Sequence, residues 1–267
     1  MSGATTATGS AGVQALLWGA RAQDWAEVQE GTVRPLYEEV FEQTRVGPGT
    51  ALLDVGCGAG LACTIAAGRG AEVAGLDATP ELVASARQRL PGADFQLGDM
   101  EALPHPDHRF DVATGFNSFQ YAAHPVRALQ EARRVTKPGG QVVIAVWGRR
   151  EETQAAGYLE ALGSLLPPPP PGSPGPFALS EPEALARLAQ QAGLSPGHHG
   201  AAPCPWVYPD LETALRGLLA AGPAIRAIQV AGENRVREAV GESLVPFKRP
   251  DGTYLLDNIF HYLIAAA

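Results

Sequence analysis

Three glycines and a carboxylate stand close together in this chain and could hold a charged small molecule. Gly56, Gly58 and Gly60 occupy alternate positions just after Asp54. Glycine has no Cβ, so a ligand can lie against the backbone, and the chain can take a positive φ where it reverses. The carboxylate of Asp54 suits a cationic group such as the ammonium of an amino acid. A pyrophosphate instead favours bare N–H groups and a helix dipole.

The residues around these glycines predict a strand that ends in a tight turn and continues into a helix. Residues 51–55 form a short apolar run, which is typical of a buried parallel strand. Residues 61–67 follow with a helical pattern. A dinucleotide fingerprint, G-x-G-x-x-G, would require glycine at the position of Leu61. The spacing therefore argues against a nicotinamide dinucleotide.

Polar residues also follow the next three predicted strands. Asp77 ends the strand over 72–77, Asp99 and Met100 come just after the strand over 93–97, and Asn117 ends the next one. Strands that alternate with helices form a parallel sheet, and the carboxyl ends of its strands meet at one edge. We therefore expect these side chains to share one site with the glycine turn.

In this order and spacing, residues 46–147 resemble the class I S-adenosylmethionine-dependent methyltransferases. The resemblance depends on the D-x-G-x-G-x-G run over 54–60, the acidic Asp77, the 98–100 segment and the Lys-Pro-Gly-Gly turn at 137–140. It implies an α/β fold: a doubly wound, seven-stranded, mostly parallel sheet whose last strand is antiparallel, with helical lid insertions. The segment order is most similar to the ubiquinone/menaquinone-type small-molecule branch.

The resemblance also implies S-adenosyl-L-methionine as the cofactor and assigns roles to individual residues. Asp54 would anchor the ammonium directly or through water, and Asp77 would accept hydrogen bonds from the ribose hydroxyls. Asp99 would take the adenine amino group, and Asn117 would face the methionine end. The expected cofactor-binding residues are Asp54, Gly56, Cys57, Gly58, Gly60, Asp77, Ala78, Asp99, Met100 and Asn117.

Methyl transfer from a sulfonium requires mainly an in-line nucleophile. A general base is needed only for a protonated acceptor. Of the six histidines, His124 is the best-placed base, because it follows the fourth strand just before a helix predicted to begin at Pro125. Aromatic residues could hold a flat acceptor or cover the sulfonium by cation–π contact. The expected substrate-binding residues are Trp25, Phe119, Tyr121, Trp206, Tyr208 and Tyr254.

Composition narrows the partners and the compartment. The 267-residue chain has a net charge of -8 and no basic stripe, which argues against nucleic acid. Three cysteines cannot all pair within one chain, and no apolar run approaches the roughly 18 residues that span a bilayer. We expect a cytoplasmic protein without a bound metal. The oligomeric state and the methylated atom, oxygen, nitrogen or carbon, stay open.

The chain divides into three predicted regions. Residues 1–45 contain a disordered tail over 1–12 and lid helices, and residues 46–147 form the cofactor-binding core. Residues 148–267 complete the sheet, with substrate-lid insertions at 148–179 and 209–250. Within the last region we also predict a five-proline spacer (167–171), a capping box from Ser180 to Glu183, one helix over 223–239 and one strand over 254–265.

Two other functions fit the same sequence. The chain could bind S-adenosylmethionine without transferring its methyl group, as a cyclase or a regulatory protein, because one fold carries several functions. It could also be an NAD-dependent oxidoreductase, although Leu61 and the Asp99-Met100 segment argue against that function. The favoured function is methyl transfer to a small, aromatic or apolar acceptor.

Overall fold

A computed structural model of the protein describes residues 9–168 and 175–267. Its strands are β1 (Ala51–Val55), β2 (Glu72–Asp77), β3 (Asp94–Leu97), β4 (Phe110–Phe116), β5 (Thr136–Trp147), β6 (Ser195–Pro203), β7 (Trp206–Tyr208), β8 (Tyr254–Leu256) and β9 (Ile259–Ala266). Its α-helices are α1 (Ala11–Gly19), α2 (Ala22–Asp24), α3 (Arg34–Gln43), α4 (Leu61–Gly68), α5 (Pro80–Arg89), α6 (Pro125–Val135), α7 (Ala156–Ser164), α8 (Pro182–Gln191), α9 (Leu211–Leu218), α10 (Gly222–Ala231) and α11 (Glu233–Leu244).

Seven of these strands form one sheet, and its topology confirms the predicted fold. The strand order is β3-β2-β1-β4-β5-β9-β6, with β9 inserted antiparallel between β5 and β6. From β1 the sheet extends through β2 and β3 on one side and through β4 and β5 on the other, so the strand order reverses between β1 and β4. Open α/β sheets bind ligands outside the carboxyl ends of their strands at such a switch point. The glycine turn that follows β1 lies at this point.

Helices cover both faces of the sheet, which explains its continuous apolar strands. Leu52 and Leu53 are neighbours in β1, and both are fully buried. They belong to separate hydrophobic clusters because successive strand residues point to opposite faces. The strand therefore supplies one apolar layer to each side, as a sheet buried on two faces requires.

The remaining elements lie over the carboxyl edge of the sheet. The N-terminal segment continues from α2 through a π-helical stretch (Trp25–Gln29) and a 3₁₀ turn (Glu30–Val33) into α3. Helix α11 packs against α7 and α10, and α1 packs against α5 and α10. Strands β7 and β8 form a separate two-stranded sheet. No helix in the described part of the chain is long and apolar enough to cross a membrane.

Two predicted elements are each divided in the structure. The helix expected over 223–239 is interrupted at Gly232, which takes φ 84° and ψ 151° and separates α10 from α11. That backbone conformation lies outside the helical region and is readily available only to glycine. The strand expected over 254–265 is wrong in the same way, because β8 pairs with β7 while β9 enters the main sheet.

Local predictions near the chain start and before α8 also need correction. Ser180 does not cap a helix, because α8 begins at Pro182 and places Glu181 at the N-cap position. The Ser180 hydroxyl is buried without a hydrogen-bond partner among the described residues. Helix α1 begins at Ala11, inside the expected tail, whereas residues 1–8 lie outside the described residues. Most of the five-proline run, residues 169–171, also lies outside them.

Candidate active site

A cavity of about 1260 Å³, including its opening to solvent, lies between the sheet's carboxyl edge and the covering elements. Its wall has two parts of different chemistry. One part, the glycine half, contains Gly56, Gly58, Asp77, Asp99, Met100 and Asn117. The other part, the aromatic half, contains Tyr37, Phe116, Trp147, Tyr158, Trp206 and Phe260.

The glycine turn is fastened to the end of β2. The backbone N–H groups of Gly56 and Cys57 donate to the Leu76 carbonyl at 2.7 and 3.0 Å. The Gly58 N–H donates to a carboxylate oxygen of Asp77 at 2.9 Å. Gly56 has φ +78°, and a Cβ there would lie only 2.4 Å from the Ser118 Cβ. The turn therefore requires glycine at position 56 for both its conformation and its contact.

Asp77 is held in place by backbone donors and remains available to a ligand. Its second oxygen accepts from the Thr79 N–H at 2.9 Å. Burial raises the pKa of Asp77, and the hydrogen bonds from Gly58 and Thr79 oppose that shift. Each carboxylate oxygen has a second lone pair for a donor in the cavity. The side chain can thus accept hydrogen bonds from a diol.

Asp54 lies behind the glycine turn and does not line the cavity. Its carboxylate is 2% exposed and accepts a hydrogen bond from the Thr114 hydroxyl at 2.8 Å. Burial raises its pKa to about 7 despite that bond, and the charges of Glu30 and Asp77 raise it further. The carboxyl group can therefore act on a ligand through its field, without touching it.

The other expected cofactor residues divide between the cavity wall and the support of the turn. Ala78, Asp99, Met100 and Asn117 line the cavity. One Asp99 oxygen accepts from the Glu101 N–H at 2.9 Å, which fixes the carboxylate. Asn117 ends β4 with φ +55°.

Cys57 and Gly60 support the turn from behind. The Cys57 sulfur packs against Gly75, where a Cβ would lie 2.9 Å away, and burial raises the pKa of the thiol. At Gly60 a Cβ would lie 2.9 Å from that of Ala86, so the missing side chain lets α5 approach. Both residues shape the turn without lining the cavity.

The aromatic half consists of rings from four strands and from helices α3 and α7. Trp147 stacks on Phe260 with ring centroids 4.6 Å apart, and it also contacts Trp206 at 5.5 Å. Tyr37 lies edge-on to Phe116 at 4.6 Å. The indole N–H of Trp206 is buried and has no acceptor among the described residues. None of the six residues that define this half carries a charge.

The predicted acceptor-binding residues are only partly brought together. Trp25, Tyr121 and Trp206 line the cavity, as do the other two tryptophans, Trp18 and Trp147. The remaining three predicted aromatics are buried but lie outside the cavity wall: Phe119, Tyr208 and Tyr254. Tyr208 donates its hydroxyl to the Gln29 side chain at 2.8 Å.

His124 does not line the cavity. It is exposed at the start of α6, where its backbone N–H donates to a Glu101 oxygen at 3.0 Å. No histidine lines the cavity among the described residues. A base from this side chain would require a rearrangement that the structure does not contain.

Sequence reasoning missed a buried ion pair that seats the N-terminal segment on the glycine turn. Glu30 is 3% exposed and pairs with Arg89 of α5. Arg89 also donates to the Ala59 carbonyl at 2.8 Å, and Glu30 lies 3.4 Å from the Leu61 N–H. Burial raises the pKa of Glu30, although Arg89 opposes this. Charged residues 59 positions apart gave no local signal for this contact.

Comparison with known proteins identifies the core of the chain. Residues 53–144 match the family described as "Methyltransferase domain". The chain is 38% identical over 116 residues to malonyl-[acyl-carrier protein] O-methyltransferase of Serratia marcescens, covering 43% of each chain. It is 33% identical over 154 residues to ubiquinone biosynthesis O-methyltransferase of Thiobacillus denitrificans, covering 55% of this chain and 65% of that one. The chain thus spans less than two thirds of either relative.

A solved structure extends the likeness of the fold beyond the core. The [4+2]-cyclase SpnF superposes with a TM-score of 0.55 and 22% identity, over 86% of this chain and 80% of that one. At this identity the likeness concerns the fold alone. Its coverage of 86% of this chain extends beyond residues 53–144, which the family match includes.

Proposed function

We propose that this chain is a class I S-adenosylmethionine-dependent methyltransferase and that it transfers a methyl group to a small, flat, uncharged acceptor. One observation carries the proposal. One cavity combines a wall that contains the glycine turn and two carboxylates, Asp77 and Asp99, with an uncharged aromatic wall. The first suits a cationic nucleoside and the second suits an apolar acceptor beside it.

The residues of the glycine half fit S-adenosylmethionine. A Cβ at Gly58 would lie 3.2 Å from a Glu30 oxygen and 3.6 Å from the Trp25 indole nitrogen, so the missing side chain leaves a cradle. Asp77 and Asp99 present carboxylate oxygens to this space. The cofactor offers hydroxyl, amino and cationic groups, all of which carboxylates accept.

Each residue of this half has a proposed task. Asp77 would accept from the ribose hydroxyls and Asp99 from the adenine amino group. Gly56, Gly58 and Asn117 would hold the methionine portion, while Asp54 would favour its positive charge from behind the turn. When bound, the cofactor supplies a methyl group that is already activated by its sulfonium.

The aromatic half would orient the acceptor and exclude water. We propose that the N-terminal residues 1–45 and the insertions at 148–179 and 209–250 act as its lid. Because no histidine lines the cavity among the described residues, the acceptor would itself be the nucleophile, as a neutral amine or as an electron-rich carbon of a phenol or quinol. Burial raises the pKa of Tyr37 and Tyr158, so neither phenol serves as a base.

The two relatives suggest different acceptors, and the charge of the cavity distinguishes them. A malonyl group carries a carboxylate, which would need a cationic partner when buried. No lysine or arginine lines the cavity among the described residues. The uncharged wall therefore favours a neutral aromatic acceptor, closer to the quinone-type relative.

The state of the cysteines supports a proposal about where in the cell the protein acts. Cys57, Cys63 and Cys204 are all free and buried. Free thiols are typical of reducing compartments, so we propose that the protein acts in the cytoplasm. The described residues contain no group of three metal-ligating side chains that could hold an ion.

A thermal-shift comparison followed by a transfer assay tests the function. S-adenosylhomocysteine at 100 times its Kd should stabilise the protein by about 2.7 kcal/mol, whereas NAD should give no shift. Methyl-labelled cofactor should then label a phenol or quinol acceptor from a panel. A shift with NAD alone would make the chain an oxidoreductase. Binding without any labelled product would favour a cyclase or a regulatory protein.

A further inference from the structure

We propose that the hydroxyl of Tyr37 donates a hydrogen bond to an oxygen of the acceptor and so selects acceptors that carry one. The inference rests on the proposed function, because it assigns the aromatic half to the acceptor. It adds a specificity-determining residue that the sequence did not indicate. Four observations support it: the position of the ring, its burial, its unbonded hydroxyl and the uncharged residues that define the aromatic half.

Tyr37 stands where the two halves of the cavity meet. It belongs to α3, and its ring lies edge-on to Phe116 with centroids 4.6 Å apart. Phe116 directly precedes Asn117 of the glycine half, and all three residues line the cavity. A group on Tyr37 is therefore close to the region where the acceptor meets the methionine end of the cofactor.

Three buried tyrosines form hydrogen bonds through their hydroxyls within the described part of the chain, whereas Tyr37, Tyr121 and Tyr254 do not. Tyr158 donates to the Leu218 carbonyl at 2.8 Å, Tyr208 donates to Gln29 at 2.8 Å, and Tyr262 donates to Glu39 at 3.0 Å. Of the tyrosines whose hydroxyls form no hydrogen bond with the described residues, Tyr37 (7% exposed) and Tyr121 line the cavity. The ring of Tyr37 lies against Phe116, whereas that of Tyr121 lies against Trp18. The Tyr37 oxygen is not among the fully buried polar atoms that lack a partner, so it remains accessible, and a molecule in the cavity can supply its acceptor.

The surroundings make Tyr37 a hydrogen-bond donor. Burial raises the pKa of its phenol well above the usual range, and the negative charges of Glu30 and Asp54 act in the same direction. The phenol thus keeps its proton at neutral pH. A neutral donor in an uncharged wall matches a carbonyl, an ether or a phenol oxygen on the acceptor.

A pair of matched probes tests this assignment without the natural acceptor. 1-Acetylnaphthalene and 1-isopropenylnaphthalene have nearly the same shape, but only the first carries an oxygen. Binding of each to the full chain, saturated with S-adenosylhomocysteine, is measured by equilibrium dialysis for the native protein and Tyr37→Phe. The control variant is Tyr158→Phe, whose hydroxyl already has a backbone acceptor.

We expect Tyr37→Phe to weaken the binding of 1-acetylnaphthalene about 5-fold and to leave the binding of the hydrocarbon unchanged, since a neutral hydrogen bond contributes about 0.5–1.5 kcal/mol. Tyr158→Phe should change both probes by the same factor. Equal weakening of both probes by Tyr37→Phe, or no change in either, would overturn the inference. If the variant fails to fold, the native protein alone provides the test. The ratio of ketone to hydrocarbon affinity is compared with the ratio of their octanol–water partition coefficients. An affinity ratio no larger than the partition ratio would also overturn the inference.

The outcome separates this inference from the function on which it rests. Failure of the native protein to bind S-adenosylhomocysteine would end the proposed function itself. Normal cofactor binding with equal probe responses would remove only the role of Tyr37. Cofactor binding together with a selective loss of the ketone would support both.

Discussion

The two halves of the cavity are built in different ways. The glycine half comes from one stretch of about sixty residues, 56–117, in which each turn follows a strand of the same sheet. The aromatic half gathers residues from α3, β4, β5, α7, β7 and β9, which are spread from position 37 to position 260. A site made by local turns tolerates few changes, whereas one assembled from distant segments can change its ligand while the fold persists.

The strongest way to break the glycine half alone is to fill the space at Gly56. Gly56→Ala should abolish detectable binding of S-adenosylhomocysteine, a loss of more than about 100-fold, because it combines left-handed strain with a contact of 2.4 Å to Ser118. Isothermal titration measures the loss. Gly49→Ala is the control, since Gly49 has φ +84° with nothing within 4 Å of its Cβ position. Equal loss in both variants would show that strain alone is responsible.

A pair of tryptophan variants should separate the halves. Trp147→Phe should weaken the binding of 1-acetylnaphthalene about 5-fold and leave the binding of S-adenosylhomocysteine unaffected, because the substitution reduces the ring area that stacks on Phe260. Trp25→Phe should do the reverse, because Trp25 lies over Gly58. Equilibrium dialysis with each ligand checks both. Variants that weaken the two ligands together would mean that the halves are not independent.

The buried carboxyl behind the glycine turn should give the unliganded protein a distinctive pH dependence. The pKa of Asp54 is raised to about 7 in the folded state, so its neutral form stabilises the fold at low pH. This stability is lost as pH rises from about 4 to 7 and does not return above that range. The Tm of the native protein should therefore fall between pH 5 and 8. Asp54→Asn should make this fall smaller by about 5 °C.

The pKa of Asp111 is shifted in the opposite direction from that of Asp54, so this residue serves as the comparison. It lies at the other edge of the sheet, where hydrogen bonds from Lys137 and Ala51 outweigh the effect of burial and lower its pKa. Its contribution to stability is present above the unfolded pKa and is lost as pH falls through the folded pKa, well below 5. Asp111→Asn should therefore leave the slope between pH 5 and 8 as it is. A slope that Asp54→Asn also leaves unchanged would contradict the raised pKa.

The smallest effect should come from the exposed ion pairs that join the N-terminal segment to α9. Arg216 pairs with Asp24 and Glu27, and its side chain is 44% exposed. Surface pairs contribute about 0–1 kcal/mol and are screened by salt. Arg216→Gln should weaken S-adenosylhomocysteine less than about 3-fold, and the difference should vanish in 1 M salt. A larger, salt-independent effect would mean that this contact between the N-terminal segment and α9 helps to shape the site itself.

The glycine half could be predicted from sequence because its geometry is local. Asp77, Asp99 and Asn117 each follow a strand whose apolar pattern is plain, so all three reach the same edge. Asp54 was expected beside a ligand, yet alternation along β1 turns its side chain toward Thr114. Strand tips are predictable from pattern, but the direction of one side chain depends on its neighbours.

The aromatic half could not be predicted in the same way. Tyr37 of this half, like Glu30 beside the glycine turn, is placed by the packing of the N-terminal segment against residues far away in sequence, and no spacing rule encodes these contacts. His124 illustrates the reverse error. A position before a helix suggested a base, but the N-cap geometry leaves it exposed at the surface. Lid residues require tertiary structure to be assigned.

The central claim is that the glycine half binds a sulfonium nucleoside through Asp77. The direct test is isothermal titration of the native chain, Asp77→Asn and Asp111→Asn with S-adenosyl-L-methionine. We predict one site per chain, a 10- to 100-fold loss in Asp77→Asn from about 1.5–3 kcal/mol of charged hydrogen bonding, and native affinity in Asp111→Asn. Absence of binding to the native chain, or native affinity in Asp77→Asn, would contradict the account.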